Sequence, residues 1–202
     1  MDTYKSYAER VIQPTPTILG LKLLNFTLGH SMLLKTAKSR FMLGGLKELD
    51  DRGIIGELIF GLLVCSTTYD SFIEEMNDGS FKEYLNKYVA DLIEEIKSSS
   101  MFNLYSKINM FANYIKDGTS TPYYYTAEDA KNDVSICPVE IEQSIISTLM
   151  SECNYTRDEC LNVPLTETLS AYLLYAHKQG TVNLQSKEEY ELQLRLKGAK
   201  RE

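Results

Sequence analysis

A chain of 202 residues, 44% hydrophobic and 24% charged, has room for one globular domain or one with a small appendage, and at that size needs no metal or disulfide to stand. A formal charge of −7 and a pI near 5.0 exclude bulk phosphate binding, which needs clustered Lys and Arg, so no nucleic-acid partner is expected. A membrane is not expected either, because the longest apolar run, "GIIGELIFGLLVC", contains Glu57 and is too short to cross a bilayer.

Along the chain, Tyr4, Tyr7, Ala8 and Val11 recur at helical spacing, and Pro14 and Pro16 stop that helix. "LGLKLLNF" (19–26) is ambiguous and leaves room for a short extended piece. Thr27 can cap a helix starting at Leu28. Residues 44–53 read as a turn-rich connection. Residues 54–66 are apolar on nearly every side, as befits a central helix. Thr68 opens the next helix, which shows Tyr69, Phe72, Ile73 and Met76 on one face and ends at Asp78-Gly79. Ser80 and Glu83 form a capping box for a helix carrying Phe81, Tyr84, Leu85, Tyr88, Val89, Leu92 and Ile96, with "SSS" (98–100) as its end.

A further helix uses Leu104, Ile108, Phe111 and Ile115 and ends at Gly118. Residues 118–136 read as irregular. Pro138 suits the first turn of the helix that follows, with Glu140 and Glu142 at its positive end. Ile141, Ile145, Leu149 and Cys153 are expected to face inward there. Thr156 and Glu159 cap a short helix, and Asn162 and Pro164 mark a break. A longer helix runs on to Gly180, followed by an extended "TVNL". Ser186 and Glu189 cap a final charged helix. The expected fold class is all-α, an irregular multi-helix bundle of about eight to ten helices with little or no sheet. Residues 1–185 would form a single helical domain with a possible sub-division near 118–136, and 186–202 a charged C-terminal helix or tail.

The helix, break and helix at 154–180 have the outline of a helix-turn-helix, but the chemistry for reading DNA is missing. A recognition helix presents Arg, Lys, Asn or Gln near its N-terminus. Here that terminus reads "PLTETL", with Glu167 where a base contact would lie. Leu165, Leu169, Tyr172, Leu173 and Ala176 form an apolar stripe suited to a core or a protein partner.

Catalytic candidates are few. His30 stands beside Ser31, but a nucleophile elbow would need Gly at position 33, which is Leu33. A histidine serving a hydrogen bond at a helix start is the plainer reading. Cys153, Cys160 and His177 fit no standard zinc spacing. The adjacent carboxylates Glu74–Glu75, Glu94–Glu95 and Glu188–Glu189 diverge on a helix. The four cysteines form no C-x-x-C and no signal peptide precedes them, so reduced thiols in a soluble cytosolic protein are expected. No catalytic, cofactor-binding or metal-binding residue is assigned, and the chain is read as a non-enzyme. Tyr123, Tyr124 and Tyr125 in "TPYYYT" either pin their loop to the helices or offer low-entropy contact area to a partner.

"LKLLNFTLGHSMLL" (21–34) resembles an opening found in small helical proteins of bacteriophage tail-gene modules. "YTRDECLNVPLTETLSAYLLYAHKQG" (155–180) is similar to the helix-break-helix that ends tail assembly chaperone-like proteins, with Thr156, Pro164 and Leu169 in the corresponding places. The resemblance implies a non-enzymatic phage protein of the host cytoplasm, without cofactor, that binds the tape-measure protein or another tail protein. It would keep that apolar helix soluble until tail-tube subunits polymerise around it. The expected partner-binding residues are Tyr123, Tyr124, Tyr125, Leu165, Leu169 and Tyr172, and oligomerisation stays open. The alternatives are a virion structural or adaptor protein, or a helical enzyme or regulator with chemistry not recognised.

Overall fold

The structure, a computed structural model, describes residues 15–79, 101–121, 124–126 and 140–199, together with helical positions 83, 86, 89, 90, 93, 94 and 97. The expected Tyr4–Val11 helix, the Ser80 cap, the "SSS" break and Pro138 lie outside the described residues. Nine α-helices and two short antiparallel ladders among the described residues make an all-α, multi-helix fold. By internal contacts the chain groups into two compact units. One takes Gln13–Thr119 with Leu161–Leu165, and the other Ser120–Cys160 with Thr166–Glu202, each as far as it is described.

The first unit begins with a hairpin of β1 (Thr17–Ile18) and β2 (Leu21–Lys22), paired Thr17 to Lys22 and Ile18 to Leu21. Its two turn residues, Leu19 and Gly20, have φ of 50° and 75°, the left-handed backbone that matches a two-residue turn to strand twist. The ambiguous 19–26 stretch therefore holds a short extended piece, Leu21–Lys22, with Ile18, Leu23 and Phe26 buried around it. Helix α1 (Leu28–Thr36) starts from a capping box in which His30 stands where Glu or Gln is usual. Helix α2 (Arg40–Leu43) has no side-chain cap of its own from Ser39. Glu57, the one acid in the apolar run, supplies it: its Oε2 accepts from Ser39 Oγ at 2.8 Å and from the Arg40 N–H at 3.0 Å.

Helix α3 (Asp51–Ser66) begins earlier than the apolar run, because the Asp50 carboxylate accepts the Gly53 N–H at 2.8 Å and caps it. Leu58, Leu62, Leu63, Val64 and Cys65 are buried at 1% or less exposure, which places α3 at the centre of the unit, against α1, α2 and β2. A break at Thr67–Thr68 turns the chain by 116° into α4 (Tyr69–Asp78), which ends at Gly79 with φ 78°. Helix α5 (Met101–Gly118) packs on α2, α3 and β1 and buries Leu104, Ile108, Phe111, Tyr114 and Ile115. The four positions expected to face inward on this helix, 104, 108, 111 and 115, all do so. No single helix among the described residues is long and apolar enough to cross a membrane.

The break at 162–165 is built into this unit. Asn162 Oδ1 accepts the Tyr69 N–H at 3.2 Å and its Nδ2 donates to Asp70 Oδ2 at 3.1 Å, so Asn162 caps α4 from far away in the chain. Pro164 bridges to Thr27, and the Leu165 N–H donates to the Phe26 carbonyl at 2.7 Å. The break is thus a tether between chain segments. Asn162→Ala is expected to cost about 1–2 kcal/mol, read as a lower urea midpoint, because the first-turn N–H of α4 loses its acceptor.

In the second unit, β3 (Tyr124–Thr126) pairs antiparallel with β4 (Val182–Leu184), so part of the stretch read as irregular is a strand. A three-residue strand is visible only through its partner, which lies far along the sequence. Helix α6 (Ile141–Glu152) buries Ile145 and Leu149, but Ile141 is 64% exposed and Cys153 half-buried. The expectation that Ile141 faces inward is wrong: the i, i+4 spacing puts it on the inner face, but at the first helical position that face is solvent-exposed. Helix α7 (Arg157–Asn162) has the expected Thr156–Glu159 box, and α8 (Leu165–Lys178) follows. Gly180 (φ 74°) closes α8 with bonds from the Gly180 N–H to His177 O and from the Thr181 N–H to Ala176 O, the paired pattern of a left-handed helix end. Helix α9 (Lys187–Ala199) starts from the Ser186–Glu189 box.

Candidate functional site

Helix α3 uses one side for the core and leaves a second apolar side. Arg52, Ile55, Gly56, Ile59 and Phe60 recur at i, i+3, i+4, i+7 and i+8, which aligns them on one face. Val89, Ile93 and Lys97, at i, i+4 and i+8, stand opposite them. Together these residues line a cleft of about 600 Å³. Among the described residues its wall is branched aliphatic and aromatic, and the two charged groups on it are both cationic. Neither Arg52 nor Lys97 makes an ion pair among the described residues. Such a surface can take apolar side chains that carry a negative group beside them.

Gly56 sits inside this cleft with open space where a Cβ would go. Gly56→Ala is therefore expected to stabilise the protein by about 0.5–1 kcal/mol through helix propensity alone, seen as a raised thermal midpoint. A fall instead would show that this face is closed.

A smaller pocket of about 210 Å³ lies beside His30, Thr68, Asn162 and Pro164. It looks more like an enzyme site, yet the side chains of Thr27, His30, Thr68 and Asn162 are already engaged. His30 is fully buried. Its Nδ1 accepts the Thr27 N–H at 3.2 Å, which leaves the proton on Nε2 to donate to the Thr67 carbonyl at 2.8 Å. Burial holds its pKa below the usual histidine value, against smaller opposing effects from backbone bonds to Thr67 and Asn25. A neutral ring with both nitrogens bonded is a strut between α1 and the end of α3.

The thiols are similarly placed. Burial pushes the Cys65 thiol far above its ordinary range, with a smaller opposing effect from a hydrogen bond with Tyr114, and Tyr114 Oη donates to the Leu24 carbonyl at 2.8 Å. Burial, then the neighbouring Glu159, raises Cys160. His177 Nδ1 lies 3.1 Å from the Val182 carbonyl and 3.4 Å from the Leu184 N, clipping β4 to the end of α8. Among the described residues no three His, Cys, Asp or Glu side chains are placed to hold a metal ion.

Comparison of the chain with protein-family models, with curated proteins and with solved structures finds no match.

Four of the six residues expected to bind a partner have described side chains. Leu165 is buried at 4% exposure, with its N–H bonded to Phe26, so its side chain is spent inside the protein. Leu169 and Tyr172 are half-buried on α8. Tyr124 is 45% exposed on β3, opposite Leu184. Tyr125 pairs with Asn183 through its backbone, and its side chain lies outside the described residues, as does all of Tyr123. Sequence reasoning missed the cleft. The five-residue periodicity on α3 was available, but nothing local says that this side is left with a cleft while the other is packed closed.

Proposed function

We propose that this is a non-enzymatic protein-binding factor whose α3 cleft receives apolar side chains from a helix of its partner. The observation that carries the proposal is the cleft itself: apolar walls from Ile55, Ile59, Phe60, Val89 and Ile93 beside two cations, Arg52 and Lys97, that make no ion pair among the described residues. A helix engages such a groove through residues at i, i+3 or i+4, and i+7. The groups with the most chemical potential, His30, Cys65, Asn162 and Glu57, each have a structural role, which supports binding over catalysis. With the resemblance of residues 21–34 and 155–180, the partner is the phage tape-measure protein and the setting is tail assembly in the host cytoplasm.

The test is co-expression with tape-measure fragments followed by affinity capture. The wild type should retain a fragment, and Gly56→Trp, which fills the cleft from an open position on a helix, should lose it while keeping its helical circular dichroism. Equal capture by both proteins would remove the cleft from the account.

A further inference from the structure

The C-terminal helix α9 carries a face that complements the cleft. Leu192 and Leu196, one turn apart, are 57% and 56% exposed. Glu188 and Glu189 precede Leu192 by four and three residues, so both carboxylates begin the same face. Glu189 also accepts the Ser186 N–H at 2.8 Å, while Glu188 has no partner among the described residues. The face therefore opens with two acids and continues with Leu192, Arg195 and Leu196, so its negative end is the N-terminal one. The cleft offers apolar walls with two cations, Arg52 and Lys97.

We infer that the cleft of one chain binds α9 of a second copy, and that two such contacts made reciprocally form a two-fold dimer. This rests on the reading that the cleft takes a helix, and it deepens that reading: self-association and partner capture compete for one groove. In a chain of net charge −7, two copies repel at long range. Opposite charges at the contact offset that repulsion locally and set the orientation. Isologous exchange uses each surface twice, so one weak contact is doubled.

Sedimentation equilibrium of the full chain across the micromolar range tests this. A monomer–dimer equilibrium is expected. Leu192→Glu with Leu196→Glu, both at exposed positions, should raise the dissociation constant at least about tenfold, and Arg52→Glu or Glu188→Arg alone should weaken it. The double exchange Arg52→Glu with Glu188→Arg should restore association. A chain that stays monomeric, including one that folds α9 onto its own cleft, overturns the inference, as does a dimer indifferent to these substitutions. The leucine variant keeps the cleft intact, so it should still capture tape-measure fragments. If the wild-type dimer is absent while capture persists, this inference alone fails. If the dimer behaves as described and capture is absent, the proposed function alone fails.

Discussion

Phe111→Ala is expected to cost about 3–5 kcal/mol, the largest loss from truncating a fully buried side chain among the described residues. Phe111 is fully buried on α5, its ring edge-on to Phe41 at 4.8 Å and stacked with Tyr114 at 5.9 Å. It also lies over Gly61 of α3, so closely that a Cβ added at Gly61 would fall 2.5 Å from Phe111 Cε1. Two helices meet here because one gives up its side chain and the other fills the space. Gly61→Ala should therefore also destabilise, by about 1–3 kcal/mol, through overpacking. The two losses should not add. With Phe111 truncated, the methyl at position 61 enters the cavity, so the double variant should be more stable than the summed single losses require. Urea unfolding of the four proteins measures this. Additivity would mean that ring and glycine do not share a space. Against a total stability of about 5–15 kcal/mol, Phe111→Ala alone brings the fold close to its limit.

What could be read from the sequence follows from the range of each interaction. The boxes at Thr156–Glu159 and Ser186–Glu189 close within one turn, so spacing alone gave them. The buried stripe of α5 repeats over several turns, and periodicity alone gave that too. Glu57 shows the other case. It looked like a blemish in an apolar run, but it caps α2 across 17 residues of chain. Asn162 reaches 93 residues back to Tyr69, and Leu165 reads as part of a partner-facing stripe until its burial is seen. These three cases have one cause. The polarity pattern of a helix says which sides are apolar, but which neighbour covers each side is decided by residues far away. The cleft on α3 is a related ambiguity: on an apolar side that reads as core, Ile59 is buried while Ile55 and Phe60 are half-buried along a cleft.

His30→Ala should cost about 2–4 kcal/mol, because it leaves the Thr27 N–H and the Thr67 carbonyl buried and without their partner and opens a cavity as well. The same ring makes stability depend on pH. Folded, its pKa is held below the usual value, chiefly by burial. Unfolded, it titrates near ~6.5. Between those two values the unfolded chain binds more protons, so stability rises with pH there. The contribution of neutral His30 is therefore complete above about pH 7 and falls as pH drops through ~6.5, levelling off once the folded-state pKa is passed. Protonation would set a hydrogen on Nδ1 against the Thr27 N–H, which breaks the capping box from inside. His30→Gln separates the two effects. Glutamine at this helix position can still accept the Thr27 N–H, as capping boxes usually do, but it does not titrate. The stability advantage of the wild type over His30→Gln should shrink between about pH 7.5 and about pH 5, because the two proteins differ only at this position. An advantage that stays constant across that range would mean the ring binds protons equally in the folded and unfolded chain, and the strut linking α1 to the end of α3 would have to be rebuilt on different bonds.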